Sequence, residues 1–165
     1  ILGGNRTLAI SNAKSGQVAI LELIQDGTGS RTVTWFVGPA LTVTMTIATP
    51  GVVTSGQDIP TGTPVVFTTT GALPTGLSAS TTYWWTRVSS TTGNVSTSLA
   101  NCQAGTLIAT SGSQSGVHTM KTAIRWASQT APTLTTGKFL GDVINIYIKD
   151  AAAGVYEGLI AVQGI

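Results

Sequence analysis

Six carboxylates, Glu22, Asp26, Asp58, Asp142, Asp150 and Glu157, one histidine, His118, and one thiol, Cys102, are the groups of this 165-residue chain best suited to acid–base, nucleophilic or metal chemistry. Glycoside cleavage needs two carboxyl groups at a fixed separation in space. None of the six lies in a recognised pairing motif, and Asp26 and Asp142 fall in turns or strand starts, where carboxylates accept backbone N–H bonds. His118 has no nucleophile elbow and no second histidine to work with, so a hydrolytic triad has little to build on. A lone cysteine permits no internal disulfide and no cysteine cage for a metal. Zinc needs about four N or S ligands and calcium a loop dense in Asp and Asn, and neither pattern occurs. Gly27-Thr28-Gly29 lacks the strand-to-helix setting in which glycines cradle a phosphate, and reads as a turn. The expectation is a protein that is not an enzyme and uses no cofactor or metal.

The elements that must hold these residues are strands. Only 8% of residues are charged against 42% hydrophobic, and the polar remainder is mostly Thr, Ser and Gly. That balance disfavours helices, whose exposed faces carry Lys, Glu and Arg, and favours β-branched strands joined by tight turns. The net charge of +2 is scattered without runs, which excludes a nucleic-acid footprint. No apolar stretch approaches the roughly 18 residues of a spanning helix. Leu41 to Ile47 alternates as a membrane barrel strand does, but irregular strand spacing and missing aromatic girdles argue against membrane insertion. The sequons Asn5-Arg6-Thr7 and Asn94-Val95-Ser96 read as chance. The chain begins at Ile1-Leu2-Gly3-Gly4 without an initiator Met and is expected to be part of a longer protein.

Along the chain, Thr7–Ile10 and Gln17–Ile24 read as strands flanking the turn Ser11–Gly16, and Val33, Trp35 and Val37 as one face of a third. From Pro39 the texture changes to Thr-rich strands at Leu41–Ile47, Val65–Thr70, Thr81–Val88, Val95–Asn101 and Thr106–Thr110. The run Ser111 to Gly116 reads as a return linker. Met120, Thr122, Ile124 and Trp126 then alternate along one strand. Ile144, Ile146 and Ile148 form the inward face of the next, and Gly154–Val162 makes the last.

Two separated segments resemble the halves of a β-sandwich module of tailed-phage virion proteins. The first holds Gly16-Gln17, then Gln25-Asp26-Gly27-Thr28-Gly29-Ser30, then Trp35. The second holds Trp126, then Asp142-Val143. In the family the two tryptophans lie a few residues apart, whereas here about ninety residues separate them, so a domain has been inserted. Ala127-Ser128-Gln129 replaces the family's Gly-rich turn, and loop conformation there is not carried over. The insert resembles fibronectin type III and immunoglobulin-like domains through Leu73-Pro74-Thr75-Gly76-Leu77 and the Leu77, Thr81, Tyr83 spacing. Such spacing implies a tyrosine corner, with the Tyr83 hydroxyl turned back on the preceding loop. The expected fold class is therefore all-β: a discontinuous β-sandwich host, residues 1–38 plus 117–165, with an inserted immunoglobulin-like sandwich, residues 39–116, projecting outward.

If Tyr83 points inward, alternation sends Trp85 inward and Trp84 outward. Trp84 is then a candidate contact for a partner subunit or a sugar ring, with packing as the competing role. The same phase would bury Arg87 and expose Val88, so a bulge that resets the alternation is expected. Tyr83, Trp35 and Trp126 are expected to be structural. The resemblance implies a phage virion surface protein, made in the bacterial host cytoplasm, that touches other virion proteins. Its role would be that of a tail-fibre or appendage subunit with weak, avid contact to host surface glycans, or a head fibre or a capsid decoration or cement protein; a glycan depolymerase is disfavoured by the missing acid pair. Few charges on an apolar chain imply a homo-oligomer, and phage fibres imply a trimer.

Overall fold

In the computed structural model, which describes residues 1–8, 10, 12–35 and 38–165, the chain divides into two compact units: Ile1–Val37 with Ile124–Ile165, and Gly38–Ala123. Val37 of the expected third strand, Ala9 of the first and Ser11 of the turn after it lie outside the described residues. Secondary structure is almost wholly β, as the composition requires.

Among the described residues the first unit contains two sheets. Strands β1 (Arg6–Leu8) and β3 (Val33–Trp35) pair in parallel. The other sheet has the order β10 (Ile124–Trp126), β12 (Val155–Gln163), β11 (Gly141–Asp150), β2 (Val18–Ile24). Strands β2 and β12 run antiparallel to β11, and β10 runs parallel to β12. Ile144, Ile146 and Ile148 turn inward and join Trp35, Ile124, Trp126 and Tyr156 in one apolar core. Leu8 and Val33, from the two-stranded sheet, pack on the same cluster.

The second unit is a six-stranded closed barrel in the order β4 (Leu41–Met45), β5 (Val53–Thr54), β8 (Thr92–Ser96), β7 (Thr82–Arg87), β6 (Pro64–Thr69), β9 (His118–Thr122). Every pairing in it is antiparallel. Val43, Met45, Val65, Phe67, Tyr83, Trp85, Val95 and Met120 fill its interior. Two separate sheets were expected from the sandwich resemblance. Instead β4 pairs with β5 on one side and β9 on the other, which joins the strands into one circuit and removes the open edges.

Three expectations need correction. The chain returns to the first unit at Ile124 rather than at residue 117, because β9 pairs with β4 and β6 of the barrel. Met120 and Thr122 thus face the barrel interior while Ile124 and Trp126 face the other core, although burial alternates without a break from His118 to Trp126. Ser111 to Gly116 is no free linker: Ser111 and Ser115 form β-bridges to Thr75 and Ala72. The expected strand Val95–Asn101 ends at Ser96, and Leu99–Gln103 forms the short helix α1. Ser98 begins that helix in extended conformation, its hydroxyl accepting the Asn101 N–H at 3.1 Å, a standard way to satisfy a first-turn donor.

Candidate interaction surfaces

Tyr83 is 4% exposed, and its phenolic oxygen accepts the backbone N–H of Ser78 at 2.8 Å. This is the backward hydrogen bond that the Leu77, Thr81, Tyr83 spacing implied. Trp85 is fully buried on the same side, and Gly93 on the neighbouring strand leaves room for its indole: a Cβ on that glycine would lie 2.2 Å from the ring. Trp84 does point away from the barrel interior, yet it is only 6% exposed. Leu99 and Cys102 of α1 cover it in a small separate cluster. Trp84 is therefore a packing residue and no surface anchor. The reason lies in the unforeseen helix, which lays its apolar side over the outward indole. The Cys102 thiol donates to the Trp85 carbonyl oxygen at 3.3 Å and lies 3.2 Å from the Thr86 hydroxyl, which fastens α1 to β7.

The bulge expected to reset the alternation does not occur along β7 either. Pairing between β7 and β8 runs without a shift from Trp84 to Arg87. Arg87 sits at the strand end with its guanidinium exposed and paired with Asp58 through both carboxylate oxygens. That contact holds the Asp58 carboxyl below the usual carboxylate range.

Trp35 and Trp126, about ninety residues apart in sequence, meet edge to face with ring centroids 5.0 Å apart at 75°. Both are buried, in the same core as Ile144 and Ile146. Gly158, register partner of Trp126, has no side chain to displace the indole; a Cβ there would lie 2.3 Å from the ring.

The turn Gln25-Asp26-Gly27-Thr28-Gly29-Ser30 is a docking device. Asp26 accepts the N–H groups of Thr28 and Gly29 and an ion pair from Arg31 at 2.8 Å. The Arg31 hydrogen bond, followed by those two amides, holds the Asp26 carboxyl below its usual value against some desolvation. Gly29 and Ser30 both have positive φ, and a Cβ on Gly29 would meet the Thr136 carbonyl oxygen at 2.5 Å. Gln25 is fully buried: its amide donates to the carbonyls of Arg31 and Thr135, and its oxygen accepts the Arg31 N–H. Asp142, equally buried, accepts the N–H groups of Thr135 and Gly164. Together Gln25 and Asp142 hold the strandless stretch around Thr135, whose backbone groups have no ladder to join. Sequence reasoning assigned Asp26 and Asp142 this backbone-bonding role but passed over Gln25, which was visible only as part of the turn motif.

Of the other chemistry-bearing groups, His118, Asp150 and Glu157 are similarly engaged. His118 is buried with both ring nitrogens occupied, Nδ1 by the Thr69 hydroxyl at 2.8 Å and Nε2 by the Gln114 side-chain oxygen at 3.1 Å. Gln114 in turn donates to the Met45 carbonyl, so the imidazole ties together β4, β6 and β9. Asp150 accepts the N–H groups of Ala152 and Ala153. Glu157 pairs with Lys149 at 3.4 Å and Arg125 at 3.9 Å. Among the described residues no group of three or more His, Cys, Asp or Glu side chains is placed to hold a metal ion.

What remains open to a partner is surface. On the barrel, Thr42, Thr119 and Thr68 form a row of register partners across β4, β9 and β6, and the Thr68 and Thr119 hydroxyls bond each other. Thr44, Thr54 and Thr92 form a second row across β4, β5 and β8. On the first unit, the side of the four-stranded sheet turned away from the core carries Val18, Ile20, Tyr147, Leu159 and Val162, with Ile20 at 71% and Leu159 at 57% exposure. Beside that face, Trp126, Pro132, Gly158 and Ile160 help line a shallow groove of about 250 Å³. Comparison with family models, curated proteins and solved structures finds no match for the chain.

Proposed function

We propose that the chain is a non-enzymatic surface subunit of a bacteriophage virion, of fibre or appendage type, assembled in several copies and displaying its inserted domain for weak contact with host surface glycans. The observation that carries this reading is the Trp35–Trp126 contact. A host unit completes its own core across an insertion of a whole separate barrel, with the virion-type turn at Gln25-Asp26 and the Asp142 strand meeting on the same backbone stretch. The barrel's two ends leave it side by side, since the Gly38 N–H donates to the Thr122 carbonyl, so it fits into a turn of a host as an independent module. Its backward Tyr83 hydrogen bond supports kinship with immunoglobulin-like domains despite the closed strand circuit.

Rows of exposed threonine hydroxyls with few charges suit sugar hydroxyls better than phosphates or peptides. Individual contacts of that kind are weak, and attachment arises from many copies on one particle. His118 and five of the six carboxylates, all but Glu22, are already engaged in structural bonds, which is why catalysis is left out. Capsid decoration is the second reading, favoured by the apolar sheet face of the first unit, which suits packing on other virion proteins. Electron microscopy of particles labelled with an antibody against residues 38–123 separates the two. Label on the tail, together with loss of cell attachment when the barrel is deleted, supports the appendage reading. A regular lattice of label over the head overturns it in favour of decoration.

A further inference from the structure

We propose that the outward face of the first unit's four-stranded sheet is the site where a second copy of this chain docks, sheet against sheet, about a two-fold axis running across the strands. This deepens the proposed assembly into copies and rests on it.

The register places the face residue by residue. Ile20 on β2 pairs with Asn145 on β11, which pairs with Leu159 on β12. One step along, Val18 pairs with Tyr147, which pairs with Glu157, and Glu157 with Arg125 on β10. In the other direction, Glu22 pairs with Val143, which pairs with Val162. The middle of the face is thus uncharged and, apart from the Asn145 amide at its centre, apolar, and four of its side chains, Val18, Ile20, Tyr147 and Leu159, are each more than 40% exposed. The opposite side of the same strands is a finished core of Ile144, Ile146 and Ile148. A sheet apolar on both sides is the pattern of an inner layer, and contiguous exposed apolar patches of this kind mark interfaces.

The charges identify a second copy as the occupant. One end of the face carries Glu22 alone. The other carries Lys149 and Arg125 around the carboxylate of Glu157, with Asp150 next along β11 engaged by the Ala152 and Ala153 N–H groups and the Lys149 side chain 54% exposed. Six residues along β11 separate the two ends, or about 20 Å. A two-fold axis across the strands reverses the strand direction of the second copy. It therefore lays the Lys149 end of each copy over Glu22 of the other, and the largely apolar centre on itself. Such an interface is isologous and closes at two copies, in place of the three expected from phage fibres. Sheets stacked in this way sit about 10 Å apart with interleaved side chains, as within a sandwich.

The test is sedimentation equilibrium of the intact chain up to high micromolar concentration. The expected result is a dimer whose dissociation constant rises about a hundredfold in Ile20→Glu, where a buried unpaired charge opposes association. Ile20 is exposed in the single chain, so the variant folds, as its circular dichroism and melting curve verify. The same change on an exposed barrel residue, Ile47→Glu, leaves the mass unaltered. Glu22→Lys weakens the dimer, and adding Lys149→Glu restores most of the loss. A wild-type chain that stays monomeric overturns both this proposal and the assembly reading. An oligomer indifferent to Ile20→Glu overturns this face alone, and failure of the charge exchange to restore pairing overturns the two-fold arrangement.

Discussion

Trp35 and Trp126 carry the claim that one domain is completed across an insertion, and a double-mutant cycle measures that claim directly. The rings meet edge to face at 5.0 Å, a geometry worth about 0.5–1.5 kcal/mol beyond the area buried. Truncating either residue to alanine would cost about 3–5 kcal/mol, a large part of a domain's total stability, and would risk unfolding the unit outright. Leucine is the better replacement, since it keeps an apolar side chain in the core and removes only the aromatic contact and some volume. Each of Trp35→Leu and Trp126→Leu should then cost about 1–3 kcal/mol. The double variant should cost less than their sum by about 1 kcal/mol. Global fluorescence cannot separate the two units, because Trp84 and Trp85 report on the barrel. Amide exchange in urea can: Ile144 and Ile146 report on the first unit, Val65 and Phe67 on the second. Protection should fall at the first pair and stay unchanged at the second. Costs that add to within about 0.3 kcal/mol would refute the contact, and equal loss of protection in both units would refute their independence.

Tyr83→Phe strips the acceptor from the Ser78 N–H and should destabilise the barrel by about 1 kcal/mol, read as a lower melting temperature with exchange at Ile144 unaltered. Gly93→Ala puts a methyl group where the Trp85 indole lies and should cost the barrel about 1–3 kcal/mol, whereas the same change at Gly105, with open space around it, should cost less despite its positive φ. Asp26 has its carboxyl held below the ordinary value of 3.8 in the folded state, so its stabilising effect is complete above that value and is lost as pH falls through the depressed one. Amide protection at Thr28 and Gly29 should follow that titration, and Asp26→Asn should abolish the acid dependence there.

Strand texture was legible because it is local: β-branched alternation and Gly turns dictate strands whatever surrounds them, and Ile144, Ile146 and Ile148 face inward as their period of two requires. Tyr83 was legible for a similar reason, since five residues separate it from its partner Ser78 and the loop between sets the reach. The helix over Trp84 was missed because Ser98, a good N-cap, sits in a Ser- and Thr-rich context where hydroxyl residues are abundant for other reasons. The boundary at Ala123 was missed because alternation reports that a side chain is buried and carries no information about which core receives it.

The sequence by itself determined that the chain is built of strands and that Asp26 and Asp142 sit in turns and strand starts, where carboxylates accept backbone amides; a resemblance, not spacing, brought Trp35 and Trp126 together. The first two properties follow from spacing within a segment. Tertiary structure alone decided that six strands close into a barrel, that β9 serves the barrel while β10 serves the other sheet, and that Trp84 lies beneath a helix. It also decided that one sheet is left with an apolar side facing outward. The physical reason is common to all four. Strand pairing is a choice among distant backbones with nearly equivalent hydrogen bonds, and only the packing of whole faces against one another selects which pairs form.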